Sequence, residues 1–116
     1  MYITIFVTVP DEKTGETIAR NILKERLAAC ANMVKQIRSF YWWEDEIQDD
    51  QEYLLIIKTK LGLFNNLKET IVQLHPYDVP EIVAMPIIKG HEPYLKWLSN
   101  ETKFTECDPG ARGIVF

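Results

Sequence analysis

Four side chains of this 116-residue chain have the types and positions from which chemistry is usually built: Cys30, Glu52, Lys58 and His75. As neutral imidazole His75 would suit copper or zinc, and Cys30 would add a soft donor. Each also has a plainer reading. His75 directly follows an amphipathic stretch and opens the loop His75-Pro76-Tyr77-Asp78-Val79-Pro80. A helix C-cap there would turn its ring to a carbonyl instead. Cys30 closes a predicted helix, whose C-terminal partial negative charge disfavours a thiolate, so a buried thiol is the simpler role. Glu52 and Lys58 lie six residues apart on one predicted strand and share a face by the period-two rule. Such a pair either lines a polar cleft or fixes register. His91, after Gly90, is placed in a solvent-facing turn. Nothing resembles a phosphate loop, a nucleophile elbow, a Cys-x-x-Cys pair or a Ser-His-Asp set, and no enzyme class is supported.

The elements that would position these groups follow from periodicity. Tyr2 to Val9 alternates threonine against β-branched residues and predicts a strand ended by Pro10, with Asp11 as N-cap of the next element. Ile18, Ala19, Ile22, Leu23 and Leu27 mark one face of a helix from about Glu12 to Ala29. Gly15 weakens its first turn. Cys30 to Glu46 reads as extended, through Phe40-Tyr41-Trp42-Trp43 to a hairpin tip at Glu44-Asp45-Glu46. The return arm contains Tyr53-Leu54-Leu55-Ile56-Ile57, a run suited to a strand covered on both faces. Leu63, Leu67, Ile71 and Leu74 predict a second helix, Ile82 to Ile88 a fourth strand, and Pro93 to Ser99 a short helix burying Tyr94, Trp97 and Leu98.

The order β-α-β-β-α-β-α predicts an α+β, ferredoxin-like sandwich: a four-stranded antiparallel sheet, two helices on one face and an extra C-terminal helix. Residues 1–102 form this one domain and residues 103–116 a tail. The second face of the sheet lacks a helical layer. The hairpin, with about 15 residues per arm, far exceeds a usual strand of about 5–6 and carries four successive aromatics. Long edges and large apolar patches signal association, so the chain is expected to close into a symmetric oligomer. Cover by the last helix and tail is the alternative.

Composition narrows the partners. Thirteen Lys and Arg are scattered among 17 acids, for a net charge of −4, which opposes a grip on nucleic acid. No apolar run approaches the roughly 20 residues needed to span a bilayer. The first residues read as a strand rather than a signal peptide, and two cysteines are too few for a disulfide framework, so a reducing cytoplasmic setting is expected.

Leu27-Ala28-Ala29-Cys30-Ala31-Asn32, Ser39-Phe40-Tyr41-Trp42-Trp43, Ile57-Lys58-Thr59, His75-Pro76-Tyr77, Val79-Pro80-Glu81-Ile82 and Tyr94-Leu95-Lys96-Trp97 together resemble the CutA family of divalent-ion tolerance proteins. The likeness runs in order from about Tyr2 to Asn100. It implies a homotrimer with an architecture similar to the PII signalling proteins, and intersubunit clefts lined by Tyr41, Glu52, Lys58, Tyr77, Glu81 and Trp97. It also implies weak binding of a divalent ion, Cu2+ or Zn2+, with Cys30 and His75 as candidate ligands. Some members carry a cysteine where this chain has Val7, and a histidine pair where it has Leu74-His75. Three functional expectations follow: a copper-tolerance protein; a PII-like module that binds a small anion or a partner protein in its clefts; and, without a motif, an enzyme using Lys58, Glu81 and Tyr41.

Overall fold

A computed structural model describes residues 1–105. The sheet has strand order β2-β3-β1-β4, all neighbours antiparallel, with β1 at Tyr2–Val9, β2 at Cys30–Trp43, β3 at Glu46–Lys60 and β4 at Ile82–Ile87. Helices α1 (Glu12–Lys24) and α2 (Phe64–Leu74) cover one face, and α3 (Glu92–Asn100) follows β4. This is the predicted ferredoxin-like sandwich. The core lies between sheet and helices. It contains Ile3, Ile5, Val7 and Val9 of β1, Leu55 and Ile57 of β3, and Ile18, Ile22, Leu67 and Ile71 of the helices. Alternation in β1 sends every second side chain there, while Thr4 and Thr8 face the other way.

The first helix begins as expected, with Asp11 Oδ1 accepting from the Thr14 amide at 2.7 Å. It ends five residues earlier than its periodicity suggests. Arg26 takes a left-handed conformation (φ 60°). The Arg26 amide then donates to the Leu23 carbonyl and the Leu27 amide to the Ile22 carbonyl. That paired arrangement satisfies the last helical carbonyls and terminates the helix. Leu27 is apolar and in phase but belongs to the loop. Cys30 is therefore the first residue of β2 rather than the end of a helix, and the dipole argument about its thiol does not apply. Gly15 serves packing: a Cβ there would lie 2.8 Å from Met33 Cε and 3.2 Å from Val9 Cγ2, so the glycine lets α1 approach the sheet.

The hairpin of β2 and β3 is as long as expected, with arms of 14 and 15 residues. Its tip is a two-residue turn, Glu44 and Asp45, both at positive φ. Between Val34 and Ile37 the register shifts by one residue, with Gln36 at φ 58°. This bulge exchanges the two faces of β2. Past it Tyr41 and Trp43 share a face with Glu52, while Phe40 and Trp42 point to the helix side, beyond the helices and into solvent.

The described residues cover the helix-free face only in part. The start of α3 reaches it beside Cys30, and Leu98 is buried. Tyr94 and Trp97, expected inside, stay exposed, with their rings tilted against each other at 5.4 Å. Val34, Val83 and Met85 on this face remain exposed. Residues 103–105 extend past the expected domain end: the Lys103 amide donates to the Arg26 carbonyl, and the buried Lys60 ammonium donates to the Lys103 carbonyl at 2.9 Å. The rest of the tail, including Cys107, lies outside the described residues.

Candidate functional site

Glu52 sits one residue before Tyr53, the partner of Val9 at the end of β1. From there the hairpin continues without a neighbour on that side, and the loop from His75 to Glu81 borders it. The result is a recess of about 680 Å3 lined by Thr8, Tyr41, Trp43, Glu52, Tyr77 and Glu81, with Ser39, Phe40, Trp42, Pro76, Asp78 and Val79 also contributing. The sequence reading named four of these: Tyr41, Glu52, Tyr77 and Glu81.

Two phenol–carboxylate pairs organise the recess. Tyr77 donates its hydroxyl to Glu52 Oε2 at 2.8 Å, and Tyr41 donates to Asp50 Oδ2 at 2.5 Å. Burial and then the Glu52 hydrogen bond push the Tyr77 phenol far up. The bond to Asp50 pushes Tyr41 up to about 12. Both phenols are thus fixed as donors at neutral pH. Glu52 is only 4% exposed. Its hydrogen-bond donor is a neutral phenol, and it takes part in none of the ion pairs among the described residues.

His75 holds the loop in place. Its Nε2 lies 2.7 Å from the Thr8 carbonyl oxygen, and its Nδ1 accepts from the Tyr77 amide at 3.2 Å. A carbonyl can only accept, so Nε2 carries the proton and Nδ1 the lone pair. Both nitrogens are used, and the ring also lies 4.7 Å from that of Tyr77. The capping alternative foreseen for His75 is realised with a carbonyl of β1 rather than of α2.

Cys30, Lys58 and Trp97 lie elsewhere. Cys30 pairs with Lys58 across the β2–β3 ladder, and Lys58 pairs with Thr4 of β1. Asn32 Oδ1 accepts from both, at 2.8 Å from Lys58 Nζ and 3.6 Å from Cys30 Sγ. The Tyr94 hydroxyl also reaches the thiol. Glu52 and Lys58 do share a face, as the period-two rule requires. Six residues of strand nonetheless separate them by about 20 Å at ~3.3 Å per residue. Thr8, which His75 holds, lies four residues along β1 from Thr4, about 13 Å by the same rise. Within one chain the expected cleft set therefore divides in two, and Cys30 and His75 do not meet. No group of three or more His, Cys, Asp or Glu side chains able to hold a metal occurs among the described residues. The described residues of one chain therefore do not by themselves assemble a copper or zinc centre. His91 is exposed, as expected.

Sequence reasoning missed Asp50, Thr8 and Asn32. Asp50 was within reach of the rule that linked Glu52 to Lys58, since it lies two residues from Glu52. Its partner Tyr41 was not, because the bulge decides which aromatic faces it.

The fold is a ferredoxin-like α+β sandwich with a long projecting hairpin and a recess beside it. The family model of CutA1, the divalent ion tolerance protein, matches residues 3–101, so the chain belongs to the CutA family. It is 49% identical over 98 residues to a divalent-cation tolerance protein from Thermus thermophilus, covering 84% of this chain and 95% of the relative. A chloroplastic CutA of rice is 48% identical over 101 residues, 87% of this chain, but the chain spans only 57% of that relative's length. A solved structure of the Thermus thermophilus protein superposes with a TM-score of 0.87 at 48% identity, covering 89% of this chain and all of the other. Among the described residues no helix is long and apolar enough to cross a membrane.

Proposed function

We propose that this chain serves divalent-cation tolerance as a cytoplasmic homotrimer, binding its ligand in the recess beside Glu52 where neighbouring subunits meet. The observation that carries the reading is the nearly buried carboxylate of Glu52, which among the described residues lacks a cationic partner in a recess lined without Lys or Arg. Such a site selects positive charge. Relatives named for divalent-cation tolerance support the same sign. Copper and zinc then bind weakly, through single donors such as Cys30 or as hydrated ions near the carboxylates, and not through a His75–Cys30 centre. A PII-like module that takes a small anion is opposed by the same lining. A cleft enzyme using Lys58, Glu81 and Tyr41 has no sequence motif behind it.

The trimer rests on the exposed hairpin. Phe40, Trp42 and Ile47 are 62%, 70% and 63% exposed on one face of it, and Val83 and Met85 are exposed on β4. Light scattering at micromolar concentration should give three protomer masses, and one protomer mass would refute the assembly. Calorimetric titration with copper should show weak binding reduced by Cys30→Ala and unchanged by an isosteric change at His75. Tight, stoichiometric copper binding lost on changing His75 would refute the site.

A further inference from the structure

The chemistry of the recess specifies its ligand more closely than charge alone. A buried carboxylate is stable when paired with an opposite charge. Glu52 has the Tyr77 hydroxyl and no ammonium or guanidinium within 4.0 Å among the described residues. The aromatic rings of Tyr41, Trp43 and Tyr77 line the space in front of it, and Glu81 and Asp78 add carboxylates at the border. Aromatic faces attract cations through their quadrupole and accept alkyl groups by burial, whereas they offer nothing to coordinate a metal. A divalent ion needs several oxygen donors converging at a little over 2 Å, and the described residues hold no such group. The volume, about 680 Å3, is instead that of a small-organic-ligand pocket, typically about 300–1,000 Å3.

We propose that this recess binds a small primary alkylammonium ion, its N–H groups donating to Glu52 and Glu81 and its alkyl stem lying against Tyr41, Trp43 and Tyr77. The inference rests on the reading that the recess is the ligand site, and it names the ligand class. A primary ammonium matches better than a quaternary one because a desolvated carboxylate gains most from a charge-assisted N–H donor. The Tyr77 and Tyr41 hydroxyls donate to Glu52 and Asp50 and so orient both carboxylates.

The test is calorimetric titration of the full chain with 1,4-diaminobutane, its neutral counterpart 1,4-butanediol, and magnesium chloride, with the oligomer mass measured on the same sample. Saturable diamine binding is expected, with the diol and magnesium at least tenfold weaker. Glu52→Gln should weaken the diamine at least tenfold. Glu81→Gln, at an exposed position and so independent of folding, should weaken it severalfold. Glu69→Gln on the exposed side of α2 should leave it unchanged, which separates the site from general attraction to an acidic protein. No diamine binding, equal affinity for the diol, tighter binding of magnesium, or indifference to both recess variants would overturn the proposal. A single-protomer mass with diamine binding intact would instead count against the trimer alone, because Glu52, Glu81, Tyr41 and Tyr77 all belong to one chain.

Discussion

At the scale of single residues, the side chains with the most suggestive chemistry turn out to differ in how free they are. His75 has its ring nitrogens committed, one to Thr8 of β1 and one to Tyr77 of its own loop. Replacing it by leucine keeps the bulk and strands a carbonyl and an amide, each a part-buried polar group that has lost its partner. The expected cost is about 1–3 kcal/mol, read as a lower denaturant midpoint, with copper affinity unchanged. Tyr41 makes a pH-dependent contribution. Its folded pKa is raised to about 12 by the bond to Asp50, above the ordinary 10. The folded state therefore retains a proton that the unfolded chain releases, and the stabilisation is complete below pH 10 and lost as pH rises from 10 to about 12. Tyr41→Phe and Asp50→Asn should each flatten the fall in unfolding midpoint across that window. Absorbance titration should show Tyr41 ionising earlier in Asp50→Asn. An unchanged slope in both variants would remove the coupling. The sequence favours a cap over a ligand at His75 without naming the carbonyl. That carbonyl lies 67 residues away, and no local spacing encodes the contact.

At the scale of elements, the pattern of apolar residues was enough for strand and helix order, because β1 alternates cleanly and α1 and α2 carry stripes at helical spacing. Two backbone features were hidden. The helix ends at Arg26 and the bulge at Gln36 both use left-handed conformations on residues that do not advertise them; glycine at either place would have marked the break. The bulge matters most for the site, because it turns Tyr41 and Trp43 toward Glu52. Without it strict alternation would place Phe40 and Trp42 there. A β-branched side chain tolerates positive φ poorly, so Gln36→Val should cost about 1–3 kcal/mol, while Gln36→Gly should cost little or stabilise. Chemical denaturation of the pair checks the contrast. If valine proves as stable as glycine, the left-handed bulge is not what sets the faces of the hairpin.

At the scale of the whole molecule, the hairpin dominates. The radius of gyration is 15.5 Å, against about 13 Å for a compact chain of 100 residues, and the longest extent is 54 Å beside 27 and 24 Å. The excess length is β-hairpin that reaches past the end of β1, with Tyr41 and Trp43 alternating to the face of Glu52 and Phe40, Trp42 and Ile47 to the other. Those three residues take no part in the core, which closes around β1, β3 and the two helices. In the proposed trimer another copy buries them, and their loss should then separate assembly from folding. In Trp42→Ser combined with Ile47→Ser the far-UV circular dichroism should persist while light scattering falls toward one protomer mass. Each large side chain buried at such a contact is worth on the order of 1.5–3 kcal/mol, so removing two from every copy weakens a trimer by several orders of magnitude in concentration. Loss of the folded signal together with the oligomer would mean that assembly and folding are one event. A trimer that survives the double change would mean that the β4 face around Val83 and Met85, rather than the hairpin, holds the subunits together.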